Sequence, residues 1–296
     1  MNILIEKQLN EFLSTKIISK RKILSKSFGI VCEKIELDNK EIFVAKYYEK
    51  INKGFNSIKS EGNTLDYLSK KNFGIFPKIQ FFSEDLLIID YIEHNNIKNE
   101  NYQNLLCEKL LTLHNINNDK YGFKFDTQIG GLRQKNNYEM DWISFFGEKR
   151  LNMIYEKICQ NNPMPYNINH KIEYLIKNLN NFLPQNPKKS LLHGDLWEGN
   201  ILFKDGKLVG LIDPGIYFGH NEMEIAYLTW FNYVNANFLE IYSNSCKIDK
   251  YFYKYEPIYQ LYFSLLNVHL WDRIYINDTG KLLEKILQTH GLGSDK

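Results

Sequence analysis

Two short apolar runs, each followed by a carboxylate, constrain this chain more than any other part of its sequence. The run Ser190–Leu192 leads into a polar loop, His193-Gly-Asp-Leu-Trp-Glu-Gly-Asn200. A second run, Leu211-Ile212, ends in Asp213. Short apolar runs bounded by turn residues are typical of buried strands. The sequence therefore predicts two strands that deliver the acids Asp195 and Asp213 from fixed backbone positions.

The order of the polar side chains matches what phosphoryl transfer requires. In kinases the Asp of a His-x-Asp pattern accepts the proton of the attacking hydroxyl, and a later amide and a second carboxylate hold magnesium. Asp195, Asn200 and Asp213 follow in this order. Single Asp and Asn residues in loops usually form turns, so it is the combination of the three residues in this order that indicates a phosphoryl-transfer site. We predict that Asp195 is catalytic and that Asn200 and Asp213 bind the metal.

Composition excludes several other classes of protein. The chain has 296 residues, enough for one large domain or two lobes, and a net charge of +2 that favours neither nucleic acid nor anionic membrane. Basic clusters such as Lys20–Lys22 are predicted to be solvated surface. Four scattered cysteines without metal-ligand spacing indicate reduced thiols of a cytoplasmic protein. We expect neither a secretory signal nor a membrane span, since no suitable apolar run occurs.

The longer pattern around these acids resembles a known family. The loop His193–Asn200 is followed by Ile212-Asp-Pro-Gly-Ile-Tyr-Phe-Gly-His-Asn-Glu-Met-Glu224, which is similar to fructosamine kinases (ketosamine-3-kinases), a branch of the aminoglycoside-phosphotransferase-like proteins. The resemblance implies an α+β, bilobal protein-kinase-like fold. It implies an N-lobe, residues 1–92, with an antiparallel sheet and helices, and a larger, mainly helical C-lobe, residues 93–296, with the catalytic loop, metal site and acceptor site.

The N-terminal part contains the candidate nucleotide ligands. Residues 1–20 are predicted to be helical, and the runs Gly29–Leu37 and Glu41–Tyr48 predict a hairpin. Ser25–Gly29 would then be a phosphate-covering loop before the first strand, although it has only one glycine. Lys46 ends a Phe-Val-Ala-Lys run and is predicted to grip the ATP phosphates; an edge-strand lysine is the alternative.

Two further nucleotide elements follow along the chain. Glu61 is expected near the start of a helix, where it would orient the ATP lysine or merely favour the helix dipole. Strands are predicted at Phe76–Phe82 and Leu86–Glu93, and the second ends in Asp-Tyr-Ile-Glu. The family resemblance implies that the backbone of Tyr91, Ile92 and Glu93 holds adenine.

The acceptor side is predicted from three residues. Gln134 ends an Ile-Gly-x-x-x-Gln segment, Trp197 follows Asp-Leu in the catalytic loop, and His220 lies beyond the metal Asp. Amides and aromatic faces suit sugar hydroxyls and sugar C–H surfaces. Each also has a structural alternative: a capped loop, a packed loop aromatic and a bracing histidine. Helices are predicted at 103–114, 166–183, 226–231 and 255–271.

The resemblance implies an ATP- and Mg²⁺-dependent kinase that phosphorylates a sugar hydroxyl of ketosamines, as small molecules or as protein adducts, and so reverses glycation. No nucleic-acid or membrane partner is expected, and a monomer is favoured. Two alternatives stay open: a kinase of another small hydroxyl compound, such as an aminoglycoside or choline, because phosphate machinery does not specify the acceptor, and a non-catalytic nucleotide-binding protein.

Overall fold

A computed structural model describes residues 3–14 and 16–292 and confirms the α+β class. The helices are α1 (Ile3–Leu13), α2 (Ser57–Ser69), α3 (Tyr102–His114), α4 (Trp142–Phe146), α5 (Met153–Asn161), α6 (Tyr166–Lys177), α7 (Asn221–Trp230), α8 (Ala236–Ser245), α9 (Phe252–Leu270) and α10 (Tyr275–Thr289). The strands are β1 (Ile18–Ser27), β2 (Ile30–Leu37), β3 (Ile42–Tyr48), β4 (Ile79–Phe82), β5 (Leu86–Asp90), β6 (Thr127–Ile129), β7 (Leu132–Gln134), β8 (Ser190–Leu192), β9 (Ile201–Lys204), β10 (Lys207–Leu211) and β11 (Tyr217–Gly219).

The first five strands form one antiparallel sheet in the order β1-β2-β3-β5-β4. The predicted β2–β3 hairpin is confirmed, but β1 replaces the predicted end of the first helix. Side chains along β1 are exposed or half-buried, so the strand shows no alternation of buried and exposed residues. Lys20–Lys22 lies on this edge strand, where lysines discourage pairing with another chain. Ser25 therefore belongs to a strand, and only Phe28 and Gly29 form the turn.

Apolar clusters cover both faces of this sheet. Ile5, Leu9 and Leu13 of α1 pack with buried residues of β2, β3 and β5. On the other face, Ile58 and Leu65 of α2 pack with β3 and β5. Each such buried side chain contributes about 1.5–3 kcal/mol relative to exposure, so the sheet and its two helices stabilise one another.

Helix α2 begins four residues earlier than predicted. Asn56 caps it, because its side-chain oxygen accepts a hydrogen bond from the Lys59 N–H, as N-caps typically do. Glu61 consequently lies in the second turn of the helix and is buried, rather than at the helix start. Its burial requires a charged partner nearby.

The described residues group into two compact units. The first contains the chain up to Tyr102 together with Asp126–Arg133 and Gly199–Gly215. The second contains Gln103–Phe125, Gln134–Glu198 and the chain from Ile216 onward. The division at residues 1–92 and 93–296 stays a prediction about the lobes.

The second unit is mainly helical. Helix α9 is buried along most of its length, as expected for its Tyr, Phe and Leu content, while α6 ends at Lys177, before the predicted residue 183. Strands β8 and β11 pair with each other. No helix within residues 3–14 and 16–292 is long and apolar enough to cross a membrane.

Candidate active site

Three of the predicted nucleotide residues meet within the first unit. The Lys46 ammonium on β3 donates to Glu61 Oε1 at 2.6 Å and also forms a hydrogen bond with Asp213 Oδ1. Strand β3 lies between β2 and β5, which rules out an edge-strand role for Lys46. Residues 46 and 213 are 167 positions apart, so tertiary folding alone creates this contact.

Burial and charge oppose each other in this cluster. Burial by itself would lower the pKa of the Lys46 ammonium, but the carboxylates of Asp213 and Glu61 raise it above its usual range. Burial, with the nearby charge of Asp213, raises the pKa of Glu61 despite the opposing effect of Lys46. The lysine is therefore held as a cation, as phosphate binding requires.

Asn200 and Asp213 are brought together by the β9–β10 hairpin. The Asn200 carbonyl accepts a hydrogen bond from the Ile212 N–H at 3.0 Å, one residue before Asp213. Asp213 adopts a positive φ of 56°, a conformation that costs a non-glycine residue about 1–3 kcal/mol and is common at functional sites.

The donor set at this hairpin fits magnesium. Mg²⁺ prefers oxygen ligands and is usually held by one or two carboxylates together with substrate phosphates. Asn200 and Asp213 supply an amide and a carboxylate oxygen. Among the described residues no group of three or more His, Cys, Asp or Glu side chains could hold a metal ion, so water and substrate phosphate oxygens would supply the other ligands of such an ion.

A cavity of about 420 Å³ in the first unit includes Lys46 and Asp213 in its lining. Its volume lies in the range of small-molecule sites. Several aliphatic side chains line it, and such side chains suit the flat ring of a nucleotide base. Of the predicted hinge residues, Tyr91 and Ile92 line the cavity. Glu93 does not line it and instead pairs with Lys204. The further lining residues are Lys22, Leu24, Ser25, Cys32, Val44, Pro77, Ile89, Asp90, His94, Asn96, Gly199, Leu202 and Ile212.

Asp195 lies in the second unit, half-buried, at the end of a loop that is fastened by its backbone. The buried Glu224 carboxylate of α7 accepts hydrogen bonds from the Gly194 N–H at 2.7 Å and the His193 N–H at 3.0 Å. His114 Nε2 lies 3.0 Å from the same carboxylate, and His114 Nδ1 lies 2.7 Å from the Tyr242 hydroxyl. Glu224 thus clamps the two peptide groups directly before Asp195.

Two phenols share the surroundings of Asp195. Burial first, and then the negative charge of Asp195, raise the pKa of Tyr227. Burial also raises the pKa of Tyr262 against the opposing charge of Arg150, with smaller contributions from Tyr217 and Asp195. Both phenols therefore stay neutral hydroxyl groups. They belong to the same unit as Asp195.

The three predicted acceptor residues differ in exposure. Trp197 is 42% exposed. Gln134 is fully buried, and its side-chain oxygen accepts from the Tyr262 hydroxyl at 3.5 Å. His220 is also buried, with Nδ1 2.9 Å from the Tyr259 hydroxyl. Because buried polar groups need protein partners, the contacts of Gln134 and His220 resemble those of bracing residues; the three acceptor roles stay predictions.

Sequence reasoning missed the role of Glu224. This acid is the last residue of the motif that begins at Ile212, but nothing in the sequence indicates that it contacts the backbone before Asp195. Lys22 is exposed, as predicted, and also lines the cavity. His114 is buried at the end of α3, next to Glu224 and Tyr242.

Comparison with known proteins was made with the whole chain. A model of the fructosamine kinase family matches residues 2–289. A probable ketoamine kinase of Enterococcus faecium is 29% identical over 258 residues, which are 85% of this chain and 89% of that protein.

Solved structures agree in fold. A candidate fructosamine-3-kinase from Haemophilus somnus 129PT has a TM-score of 0.81 at 24% identity and covers 96% of each chain. APH(2″)-IIa, in a ternary complex with streptomycin and ATP, has a TM-score of 0.65 at 17% identity and covers 97% of this chain and 98% of its own. These likenesses confirm the predicted kinase-like fold.

Proposed function

This chain belongs to the fructosamine kinase family, and we propose that it transfers the γ-phosphate of ATP to a sugar hydroxyl of a ketosamine. The observation that carries the proposal is the buried Lys46, held by Glu61 and Asp213 in a cavity of the first unit. A buried lysine between two acids has no role in packing that an apolar side chain would not fill better. It does suit the binding of phosphate oxygens.

The residues divide the work of phosphoryl transfer. Lys46, oriented by Glu61, binds α- and β-phosphate oxygens, while Asp213 and Asn200 hold the magnesium ion of the nucleotide. That ion, when bound, neutralises charge on the triphosphate. Tyr91 and Ile92 present backbone groups to adenine. Because little covalent work falls to the protein, most of the rate enhancement comes from position and charge compensation.

Asp195 is the proposed base. Its carboxylate accepts the proton of the attacking sugar hydroxyl as that oxygen approaches the γ-phosphate. The clamp by Glu224 holds the backbone before it in place, which keeps the carboxylate oriented. Trp197 is the proposed platform for the sugar's C–H face, since an exposed indole suits such a surface.

The acceptor that we propose is the 3-hydroxyl of a ketosamine, carried by a small molecule or by a protein. Support comes from the family and from the name of the Enterococcus faecium relative, a probable ketoamine kinase. We further propose that the protein acts in the cytoplasm as a monomer. The four cysteines, all free, fit a reducing compartment.

The test is an ADP-release assay on a panel of ribulosamines, fructosamines and aminoglycosides, with wild-type protein and Asp195→Ala. We expect turnover with a ketosamine, and a loss of about 10²–10⁴-fold in Asp195→Ala with ATP affinity largely kept. Asp205→Asn, a change at an exposed acid on the β9–β10 turn, is the control and should retain activity. Near-normal turnover by Asp195→Ala would refute the assigned role, and turnover with aminoglycosides alone would refute the acceptor.

A further inference from the structure

The tip of the β1–β2 hairpin has an unusual residue for its backbone conformation. Phe28 and Gly29 form the turn, with φ of 52° and 76°. Two-residue hairpin turns with positive φ at both positions favour Asn-Gly, and a bulky residue rarely adopts this region. A phenylalanine at this position therefore needs a packing contact that offsets its unfavourable backbone conformation.

Phe28 packs against a glycine of the β6–β7 turn. A Cβ atom added to Gly131 would lie 2.8 Å from Phe28 Cβ and 3.2 Å from its Cγ, closer than carbon atoms approach. Gly131 also has a positive φ of 79°. Both the backbone conformation and the lack of a side chain at 131 are thus needed for Phe28 to lie where it does.

The segment Asp126–Arg133, which we call the hairpin seat, is anchored to α2. The Ser57 hydroxyl donates to the Gly131 carbonyl and the Ser60 hydroxyl to the Asp126 carbonyl, both at 3.2 Å. Glu61, the partner of Lys46, directly follows Ser60 in the helix. The seat is therefore tied to the helix that orients the phosphate-binding lysine.

The seat is also fastened within itself and to the chain beyond the metal site. The Gly131 N–H donates to Gln128 Oε1 at 3.0 Å, which stabilises the β6–β7 turn against which Phe28 packs. The Thr127 hydroxyl donates to the Gly215 carbonyl at 3.2 Å, two residues after Asp213. The hairpin seat thus contacts three elements: the β1–β2 tip, α2 and the segment after Asp213.

We propose that Phe28 and Gly131 are positioning residues, through which the hairpin seat holds the tip of the β1–β2 hairpin, residues Ser25–Gly29, in place over the phosphates of the bound nucleotide; this rests on the proposed function. Lys22, Leu24 and Ser25 line the same cavity as Lys46, so the position of the β1–β2 tip sets the height of the cavity's wall. A tip that is already held in place fixes the phosphates relative to Lys46. No free energy is then needed to close the tip over the nucleotide in each catalytic cycle.

Phe28→Asn separates this role from a structural one. Asparagine tolerates positive φ, so the melting temperature should stay constant or rise, whereas the ring that rests on Gly131 is lost. If the β1–β2 tip then contacts the hairpin seat for only about a tenth of the time, the apparent affinity for a Mg²⁺-bound non-hydrolysable ATP analogue falls about tenfold. Lys40→Asn is the matched control: Lys40 has a φ of 71° on the β2–β3 turn of the same sheet, and its replacement should change neither affinity nor turnover.

Gly131→Ala tests the same contact from the other side. The added methyl group displaces Phe28, and we expect the affinity for the analogue to fall at least fivefold. In the double variant Gly131→Ala/Phe28→Gly the Cβ and Cγ atoms that clash with the added methyl group are absent. Its loss should therefore not exceed that of the worse of the single variants Gly131→Ala and Phe28→Gly, as expected for residues in direct contact. Losses that multiply would overturn the proposal.

Calorimetric titration of the analogue distinguishes the two levels of inference. If the wild type does not bind it, the proposed function fails, and this proposal with it. If the wild type binds but no ketosamine is phosphorylated, the acceptor is wrong and the affinities of the variants still decide the role of Phe28. If Phe28→Asn binds the analogue and turns over like the wild type, only the positioning role is overturned.

Discussion

Replacing Glu224 by glutamine tests how the catalytic loop is held. The carboxylate is buried and accepts two backbone hydrogen bonds, from Gly194 and His193, while His114 approaches it from α3. Glutamine has the same shape but only one side-chain oxygen, and its NH₂ group would face a donor. At least one peptide N–H before Asp195 therefore loses its acceptor.

The cost follows from the burial of these groups. Leaving one buried N–H unpaired costs about 1–3 kcal/mol, and about 2 kcal/mol corresponds to roughly thirtyfold in an equilibrium or rate constant. We expect kcat to fall about thirtyfold because Asp195 is no longer held at its productive position. The KM for ATP should change little, because the contacts of Lys46 with Glu61 and Asp213 are made within the first unit.

The assay is ADP release at saturating ATP and ketosamine, with thermal unfolding of each variant. Glu222→Gln is the matched control, since Glu222 lies on the same helix, is equally buried, and accepts hydrogen bonds from the Asp249 N–H at 2.7 Å and from the Tyr255 hydroxyl. Both variants should melt roughly 4 °C lower, but only Glu224→Gln should lose kcat. Equal kcat in the two variants would show that the clamp does not position Asp195.

The clamp also predicts a pH dependence. Burial alone would raise the pKa of Glu224, but the hydrogen bond with His114, the electrostatic interactions with His114 and His193 and the hydrogen bond from the Gly194 N–H lower it below the ordinary 4.5. Since the folded-state pKa is the lower one, the stabilisation is complete above pH 4.5 and disappears as the pH falls through the folded value. The difference in unfolding free energy between wild type and Glu224→Gln should therefore be constant from pH 8 to 5 and shrink only below that range.

Three further predictions concern the first unit. Lys46→Met should raise the KM for ATP and cost about 3–5 kcal/mol in urea unfolding, because Glu61 stays buried without its cation; adding Glu61→Gln should restore stability but not ATP use, and recovery of both would contradict the phosphate role. Cys32 should react slowly with iodoacetamide at pH 8, with a rate that rises about tenfold per pH unit, because burial raises the pKa of its thiol to about 11; a rate equal to that of glutathione would contradict this. Gly62→Ala should lower the melting temperature, since the added methyl would lie 2.2 Å from the Phe82 ring and an overpacking cost of about 1–3 kcal/mol exceeds a helix-propensity gain of about 1 kcal/mol; a higher melting temperature would show that Phe82 moves aside freely.

Most elements with a strong local signal were predicted correctly. The β2–β3 hairpin, the strands β4 and β5 and the helices α3 and α9 follow from apolar periodicity and turn residues, although β4 begins three residues later and β5 ends three residues earlier than predicted. Strand β1 was missed because its exposed, basic side chains carry no periodic pattern. The start of α2 was misplaced because its cap, Asn56, lies five residues before the predicted start at Glu61.

By itself, the sequence determined the order of the chemically active residues and the family to which the chain belongs. Both can be read from short contiguous motifs such as His193–Asn200, which do not depend on contacts with distant parts of the chain. The tertiary structure alone decided which groups meet. Lys46 and Asp213 come into contact across 167 positions, Glu224 clamps the loop before Asp195, and Phe28 rests on Gly131. The physical reason is that buried charges and strained turns obtain their partners from segments far away in the chain, and no local pattern specifies which segments those are.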